Sequence, residues 1–195
     1  MLDIVELNPP AVLKDMEEAT RAIDFTMGSD AQTGSLLRTL AASKPIGTLL
    51  ELGTGTGLGT AWILDGMGPQ AQLITVDRGE TAPAVARGFL SSDPRVTFYT
   101  GDGAEFLKTM REQGRLFDFI FADMHPGKFA QIDDALALLA PGGIYVIDDL
   151  LLLTSWKEEH ALLVHRLIST LEQRTDLRIT KLNWSTGLIV ATKIA

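Results

Sequence analysis

Five apolar runs in this chain end in carboxylates, and the first of those carboxylates opens a glycine-rich loop. Leu49-Leu50-Glu51-Leu52 leads into Gly53-Thr54-Gly55-Thr56-Gly57-Leu58-Gly59, after which Thr60-Ala61-Trp62-Ile63-Leu64 restores helical spacing. Glycines at that density let the backbone turn sharply and approach a bound molecule closely. Strand, tight loop and helix in that order make the geometry of a nucleotide-cofactor site. Glu51 narrows the choice of cofactor. A carboxylate beside the loop repels a pyrophosphate but can hold the ammonium of an amino-acid-like ligand, which points to S-adenosylmethionine (SAM) before NAD. Glycine spacing agrees, because the third glycine of a G-x-G-x-x-G fingerprint falls on Leu58 when counted from Gly53 and on Thr60 when counted from Gly55.

The remaining carboxylates are Asp77, Asp102 in Gly101-Asp102-Gly103, Asp123, and the pair Asp148-Asp149. Any one of them could be a helix N-cap or a turn residue. Caps alone do not call for a carboxylate at every crossover. Asp77 lies one strand-helix unit beyond the glycine loop, where a carboxylate accepts hydrogen bonds from the two hydroxyls of a ribose. Asp102 could meet the adenine or ribose edge, or cap the helix that starts beside it. Beyond Asp123 the chain reads Met124-His125-Pro126-Gly127-Lys128, so His125 and Lys128 are placed to take a proton from an acceptor hydroxyl. Histidine chemistry suits that work near neutrality. The alternative is a loop histidine and a solvated lysine at a helix start. His160 and His165 fall inside a helical pattern and read as surface or packing residues.

The elements that would carry these residues alternate along the chain. Two helical patterns, roughly 11–27 and 32–43, are split by the turn-rich Gly28-Ser29-Asp30. Strand-like runs follow at 48–52, 72–76, 95–99, 117–122 and 144–147, with helices expected to begin near Gly57, Glu80, Gly103 and Gly127. Such alternation implies parallel strands joined by right-handed crossovers, and in an open parallel sheet ligands bind beyond the carboxyl ends of the strands. A long helix over about 155–174 leads to two consecutive runs, 177–183 and 188–192, split by Trp184-Ser185-Thr186-Gly187 into a terminal hairpin. The N-terminal helices, the 124–128 loop, the 150–156 segment and Trp184 would assemble an acceptor pocket. Trp156, Trp184 and Leu151-Leu152-Leu153 could pack on a flat substrate, in the core, or at a dimer contact.

At 195 residues and 46% hydrophobic content the chain can bury the core of one compact domain, expected over 1–195 with 1–45 as a helical cap. There is no internal repeat, low-complexity tract or charged linker to support a second. Without cysteine there is neither a disulfide framework nor a thiolate metal centre, which fits a reducing cytoplasm. Met1-Leu2-Asp3-Ile4-Val5-Glu6 lacks the features of a secretory signal, and no apolar segment approaches membrane-spanning length. A cytoplasmic protein with no membrane partner is expected. A formal net charge of −8 argues against a nucleic-acid surface, which needs clustered Lys and Arg. Small molecules remain as partners.

In the order and separation of these motifs the chain resembles the class I SAM-dependent methyltransferases, and among them the catechol and caffeoyl-CoA type of O-methyltransferases. Phe25-Thr26-Met27-Gly28-Ser29-Asp30-Ala31-Gln32-Thr33-Gly34 resembles the family's N-terminal segment, where a methionine and nearby backbone cover the cofactor. Leu50-Glu51-Leu52-Gly53 through Gly59 resembles its first motif, Ile74-Thr75-Val76-Asp77 its ribose strand, and Phe117-Asp118-Phe119-Ile120-Phe121-Ala122-Asp123 its fourth strand. Leu139-Ala140-Pro141-Gly142-Gly143-Ile144-Tyr145-Val146-Ile147-Asp148-Asp149 resembles the fifth. The resemblance implies a Rossmann-like α/β fold with a seven-stranded, mostly parallel sheet, helices on both faces and an antiparallel C-terminal hairpin. It implies a cofactor site built from Met27, Glu51, Gly53, Thr54, Gly55, Gly57, Gly59, Asp77, Arg78, Gly101, Asp102, Gly103 and Asp123. Methyl transfer to a hydroxyl oxygen of a small molecule is implied with it, for which Asp123, His125 and Lys128 are the candidate catalytic residues, and a homodimer is allowed by it.

In that family two aspartates and an asparagine after the fourth and fifth strands bind a divalent metal. The matching positions here are Asp123, Asp148 and Asp149, a hard-oxygen set suited to Mg²⁺, Ca²⁺ or Mn²⁺ that could chelate a vicinal diol and stabilise its deprotonated oxygen. Two departures stand out: Asp149 replaces the asparagine, and Lys128 lies two residues beyond the place of the family's lysine. Two other functions stay open on the residues alone, an aminopropyltransferase-like enzyme and an NAD-dependent oxidoreductase.

Overall fold

The computed structural model describes residues 7–151 and 158–194. Two helices come first, α1 (Leu13–Ala22) and α2 (Ala31–Ala42). Strands and helices then alternate as β1 (Thr48–Leu52), α3 (Leu58–Gly66), β2 (Gln72–Asp77), α4 (Thr81–Leu90), β3 (Val96–Thr100), α5 (Gly103–Glu112) and β4 (Phe117–Ala122). After the short α6 (His125–Lys128) and α7 (Ile132–Ala137) come β5 (Leu139–Ile147), α8 (Glu158–Glu172), β6 (Leu177–Leu182) and β7 (Leu188–Lys193).

Successive side chains of a strand face opposite sides of its sheet, and here both sides are apolar. Leu50 and Leu52 of β1 enter one core while Leu49 enters the other, and β4 divides its Ile120 and Ala122 from Phe119 and Phe121 in the same way. Helices therefore have to cover both faces. The core holding Leu49 is closed by α1 to α4, through Met16, Leu37, Trp62 and Leu90, and the other by α5, α7 and α8, through Phe106, Leu136 and Leu167.

The strand order is β3-β2-β1-β4-β5-β7-β6, parallel from β3 to β5, with β7 antiparallel to both β5 and β6. This is the Rossmann-like seven-stranded sheet with its C-terminal antiparallel hairpin. From β1 the chain first builds outward through β2 and β3, then returns to lay β4 on the other side of β1. That reversal opens a crevice above the carboxyl ends of β1 and β4, the usual ligand position in such sheets.

Three boundaries differ from the sequence reading. The first helix stops at Ala22 instead of running to 27, because Asp24 takes a left-handed φ of 53° and the Phe25 N–H turns back to the Thr20 carbonyl at 3.3 Å. β5 begins at Leu139, well before Ile144, and its register against β4 breaks between Phe117 and Phe119. The helix expected from Gly127 is divided into α6, non-helical at Pro126 and Gly127, and the separate α7. The expected helix start near Ser155 lies outside the described residues. No helix among the described residues is long and apolar enough to cross a membrane.

Gly34 fixes the cap helices to this sheet. A Cβ there would stand 2.2 Å from Cδ1 of the buried Trp62, so only a bare backbone lets α2 lie on the indole of α3. Gly34→Ala is expected to lower stability by about 1–3 kcal/mol through overpacking against a rigid ring. Urea denaturation should read this as a lower midpoint at unchanged m-value.

Candidate cofactor and acceptor site

Glu51 shares the sheet face of Leu49 and is buried to 1% exposure. Its Oε2 accepts hydrogen bonds from the hydroxyls of Thr60 at 2.5 Å and Thr75 at 2.6 Å, and the Thr54 hydroxyl stands 2.6 Å from that of Thr75. Because Thr75 spends its proton on Glu51, Thr54 is the donor in that last pair. The other oxygen, Oε1, faces Gly59, where a Cβ would intrude to 2.9 Å. Burial pushes the Glu51 carboxyl up to about 7, with the two threonine hydroxyls pulling against the rise and the charge of Asp77 adding to it. A buried acid poised at neutrality gains most from an arriving cation.

The glycine loop is tied down by the next strand. Asp77, at the end of β2, accepts the Gly55 N–H at 2.9 Å on one oxygen and the Gly79 N–H at 2.8 Å on the other. Gly53 has a φ of 107°, and a Cβ there would strike the Asp123 carbonyl at 2.7 Å, so the tips of β1 and β4 meet through bare backbone. Asp102 proves to be the N-cap of α5, its Oδ1 accepting the N–H groups of Ala104 and Glu105 at 2.8 and 3.2 Å. It also lines the cleft, so the two readings of Asp102 are compatible.

That cleft has a volume of about 460 Å³, within the range of small-molecule sites. Met27, Gly53, Thr54, Gly55, Gly59, Asp77, Arg78, Asp102 and Asp123 line it, together with His125. Glu51 sits beneath its floor. Gly57, Gly101 and Gly103 are not among the residues lining the cleft, and a Cβ would meet Ala86 at 2.6 Å, the Tyr99 ring at 2.7 Å and Met124 at 3.0 Å respectively. Ala82 and Pro83 of α4 also form wall and were missed, for their side chains carry no reactive group that a sequence could advertise. The donor set suits SAM: a buried acid for the ammonium, which a diphosphate would find repulsive, and a loop-held acid for the ribose diol.

Around Asp123 the expectation of a divalent metal meets a different arrangement. Lys128 is buried, its ammonium 3.5 Å from Asp123 Oδ1 and 3.3 Å from Asp149 Oδ2, and is no solvated helix start. Gly127 before it takes a φ of 86°, and a Cβ there would clash with Leu52 at 2.4 Å, so the turn needs glycine at this position. The Tyr145 hydroxyl, kept protonated by burial, donates to the Gly127 carbonyl at 2.6 Å and locks the turn. Asp148 receives the Thr186 hydroxyl and the Asp149 N–H on its Oδ1. Asp149 takes a left-handed φ of 59°, which aspartate and asparagine tolerate better than most residues. Burial raises the pKa of Asp123 well above the usual carboxylate range, opposed by Lys128, and burial likewise raises Asp148, opposed by Thr186. Among the described residues no three His, Asp or Glu side chains gather as a metal-ligand group, and an ammonium stands between Asp123 and Asp149 where the resemblance implies a divalent ion.

His125 faces the cleft and stands edge-on to Phe129, with ring centroids 5.7 Å apart, and Phe129 meets His160 at 5.3 Å. The Trp184 indole N–H donates to the Gln32 carbonyl at 3.0 Å and the Ser185 hydroxyl to Asp30, which stitches the β6–β7 turn to the start of α2. Trp156, Leu152 and Leu153, expected in this region, lie outside the described residues.

A family model described as a methyltransferase domain matches residues 50–150. A catechol O-methyltransferase of Mycobacterium tuberculosis is 31% identical over 62% of this chain and 56% of its own length. A relative from a Mycobacterium species, named as an O-methyltransferase, is 29% identical over 65% of this chain and 60% of its own. The chain thus spans less than two thirds of the length of these relatives. Among solved structures, the O-methyltransferase TomG of Streptomyces achromogenes, crystallised with SAM, superposes with a TM-score of 0.85 at 22% identity, covering 98% of this chain and 93% of that one. An O-methyltransferase of Bacillus cereus in complex with S-adenosylhomocysteine (SAH) gives 0.84 at 20% identity, covering 97% and 93%. Both share the fold described above.

Proposed function

The chain belongs to the methyltransferase-domain family, and from that premise we propose that it transfers a methyl group from SAM to a hydroxyl oxygen of a small-molecule acceptor. The observation that carries this reading is Glu51, a buried carboxyl beneath the glycine loop with one oxygen turned toward Gly59. Glu51 holds the cofactor's ammonium, and Asp77 takes the ribose hydroxyls while keeping Gly55 in place. Met27, Gly53, Thr54, Gly59, Arg78 and Asp102 complete the walls around it. When bound, SAM supplies a sulfonium methyl to a nucleophile approaching in line with the departing sulfur. The protein's task is then placement and water exclusion. His125, in the wall beside Asp123, takes the proton of the acceptor hydroxyl, and Asp123 orients that hydroxyl at the tip of β4.

The catalytic unit in this reading is 1–195 with 1–45 as its helical cap, working in the cytoplasm, where a cysteine-free chain loses nothing to reduction. Leu162, exposed on α8, offers apolar surface for the homodimer that the resemblance allows. Calorimetry with SAH and with NADH tests the cofactor: SAH is expected to bind and NADH to leave the protein untouched, and the reverse result would replace methyl transfer by oxidoreduction. A decarboxylated SAM analogue that outcompetes SAH would instead favour aminopropyl transfer. A screen of hydroxylated aromatics and thioesters for SAH release then identifies the acceptor.

A further inference from the structure

We infer that the acceptor site needs no divalent metal, because the Lys128 ammonium is built in between Asp123 and Asp149 as its resident cation. The inference rests on the methyltransferase reading and concerns the same site. A divalent ion held by carboxylate oxygens at about 2.0–2.6 Å would have to stand in the gap between the tips of β4 and β5. The ammonium already occupies it, 3.5 Å from Asp123 and 3.3 Å from Asp149.

Lys128 is not free to yield that place. Its side chain is 6% exposed, its nitrogen lies 5.5 Å from the centre of the Phe129 ring, and its backbone hangs on the Tyr145 hydroxyl through Gly127. The third acid commits one of its two oxygens to the turn. Asp148 spends Oδ1 on the Thr186 hydroxyl and the Asp149 N–H, bonds that hold the turn in which Asp149 adopts its left-handed conformation. The two residues singled out in the sequence as departures, Asp149 and Lys128, are thus partners in one ion pair. An asparagine at 149 would leave the ammonium with less charge to balance it.

Lys128 is not part of the cleft wall whereas Asp123 is, so Lys128 acts through Asp123 as a positioning residue. A consequence for the acceptor follows. With no metal to chelate, a second oxygen next to the reacting one brings no advantage, and a lone hydroxyl is as good a handle as a vicinal diol.

Electron paramagnetic resonance of Mn²⁺ titrated into cofactor-free protein tests this without any acceptor. Wild-type protein is expected to leave the Mn²⁺ signal free up to about 1 mM, whereas Lys128→Met gains a saturable site at least about 10-fold tighter, lost again when Asp123→Ala is added. Lys128→Arg, which keeps the charge, should behave as wild type. Saturable Mn²⁺ binding by wild type below that concentration, abolished in Asp123→Asn, overturns the inference, and so does a folded Lys128→Met that gains nothing. Should Lys128→Met fail to fold, wild type and Lys128→Arg decide alone. SAH calorimetry on the same wild-type sample separates the two readings: Mn²⁺ binding with SAH binding intact overturns only the metal inference, while absent SAH binding removes the methyltransferase reading beneath it.

Discussion

Asp77→Ala is expected to weaken SAH binding by roughly 10²- to 10⁴-fold, the equivalent of two charge-assisted hydrogen bonds at about 1.5–3 kcal/mol each. The carboxylate has two duties. In the cofactor-free protein it anchors the loop through the N–H groups of Gly55 and Gly79, at 2.9 and 2.8 Å. In the proposed complex it also accepts from both ribose hydroxyls, so alanine removes the ligand contacts and unties the loop that presents them. Asp77→Asn keeps one acceptor oxygen and should fall between alanine and wild type. Calorimetry settles the matter, and an affinity within about threefold of wild type for Asp77→Ala would remove the ribose assignment.

The second large effect is a pH dependence of cofactor binding set by Glu51. Burial holds this carboxyl near 7 in the cofactor-free protein, against 4.5 for an ordinary glutamate. An ammonium ligand favours the ionised form. Below pH 7 binding must therefore expel a proton, and SAH affinity should drop about tenfold per unit as the pH falls from 7 toward 5, with proton release visible when buffers of different ionisation heat are compared. Stability runs the opposite way. A folded-state pKa above the unfolded one contributes stability that is fully present below about 4.5 and lost as the pH rises through about 7. The shift amounts to about 3 kcal/mol above neutrality. Glu51→Gln, which still accepts from Thr60 and Thr75, should raise the stability of the cofactor-free protein at pH 8 by up to about 3 kcal/mol while costing SAH affinity and flattening its pH profile. A flat profile in wild type between pH 5.5 and 7.5 would sink the assignment of the ammonium contact.

The sheet was readable because each strand declares itself: β1 and β4 are where the sequence puts them, and the carboxylates at their tips mark the edge above which the cleft opens. What stayed hidden was relational. Asp102 as a cap and Asp102 as cleft wall look alike in sequence, since both need an acid before a helix. Gly57, Gly101 and Gly103 also sit tight against Ala86, Tyr99 and Met124, and such crowding has no local signature. The early start of β5 is hidden in the sequence because Pro141-Gly142-Gly143 reads as a break. Likewise no spacing rule could bring Lys128 to Asp149, which meet only once β4 and β5 lie side by side.

Loops beside a ligand site are ordinarily among the first parts of a protein to open. The turn carrying His125 and Lys128 is bolted instead to Tyr145, whose ring is sealed inside the sheet on a strand flanked by β4 and β7. Its order is borrowed from the interior, so turn and central strand share one fate in hydrogen exchange, and the side chains it carries stay poised for as long as the fold itself survives.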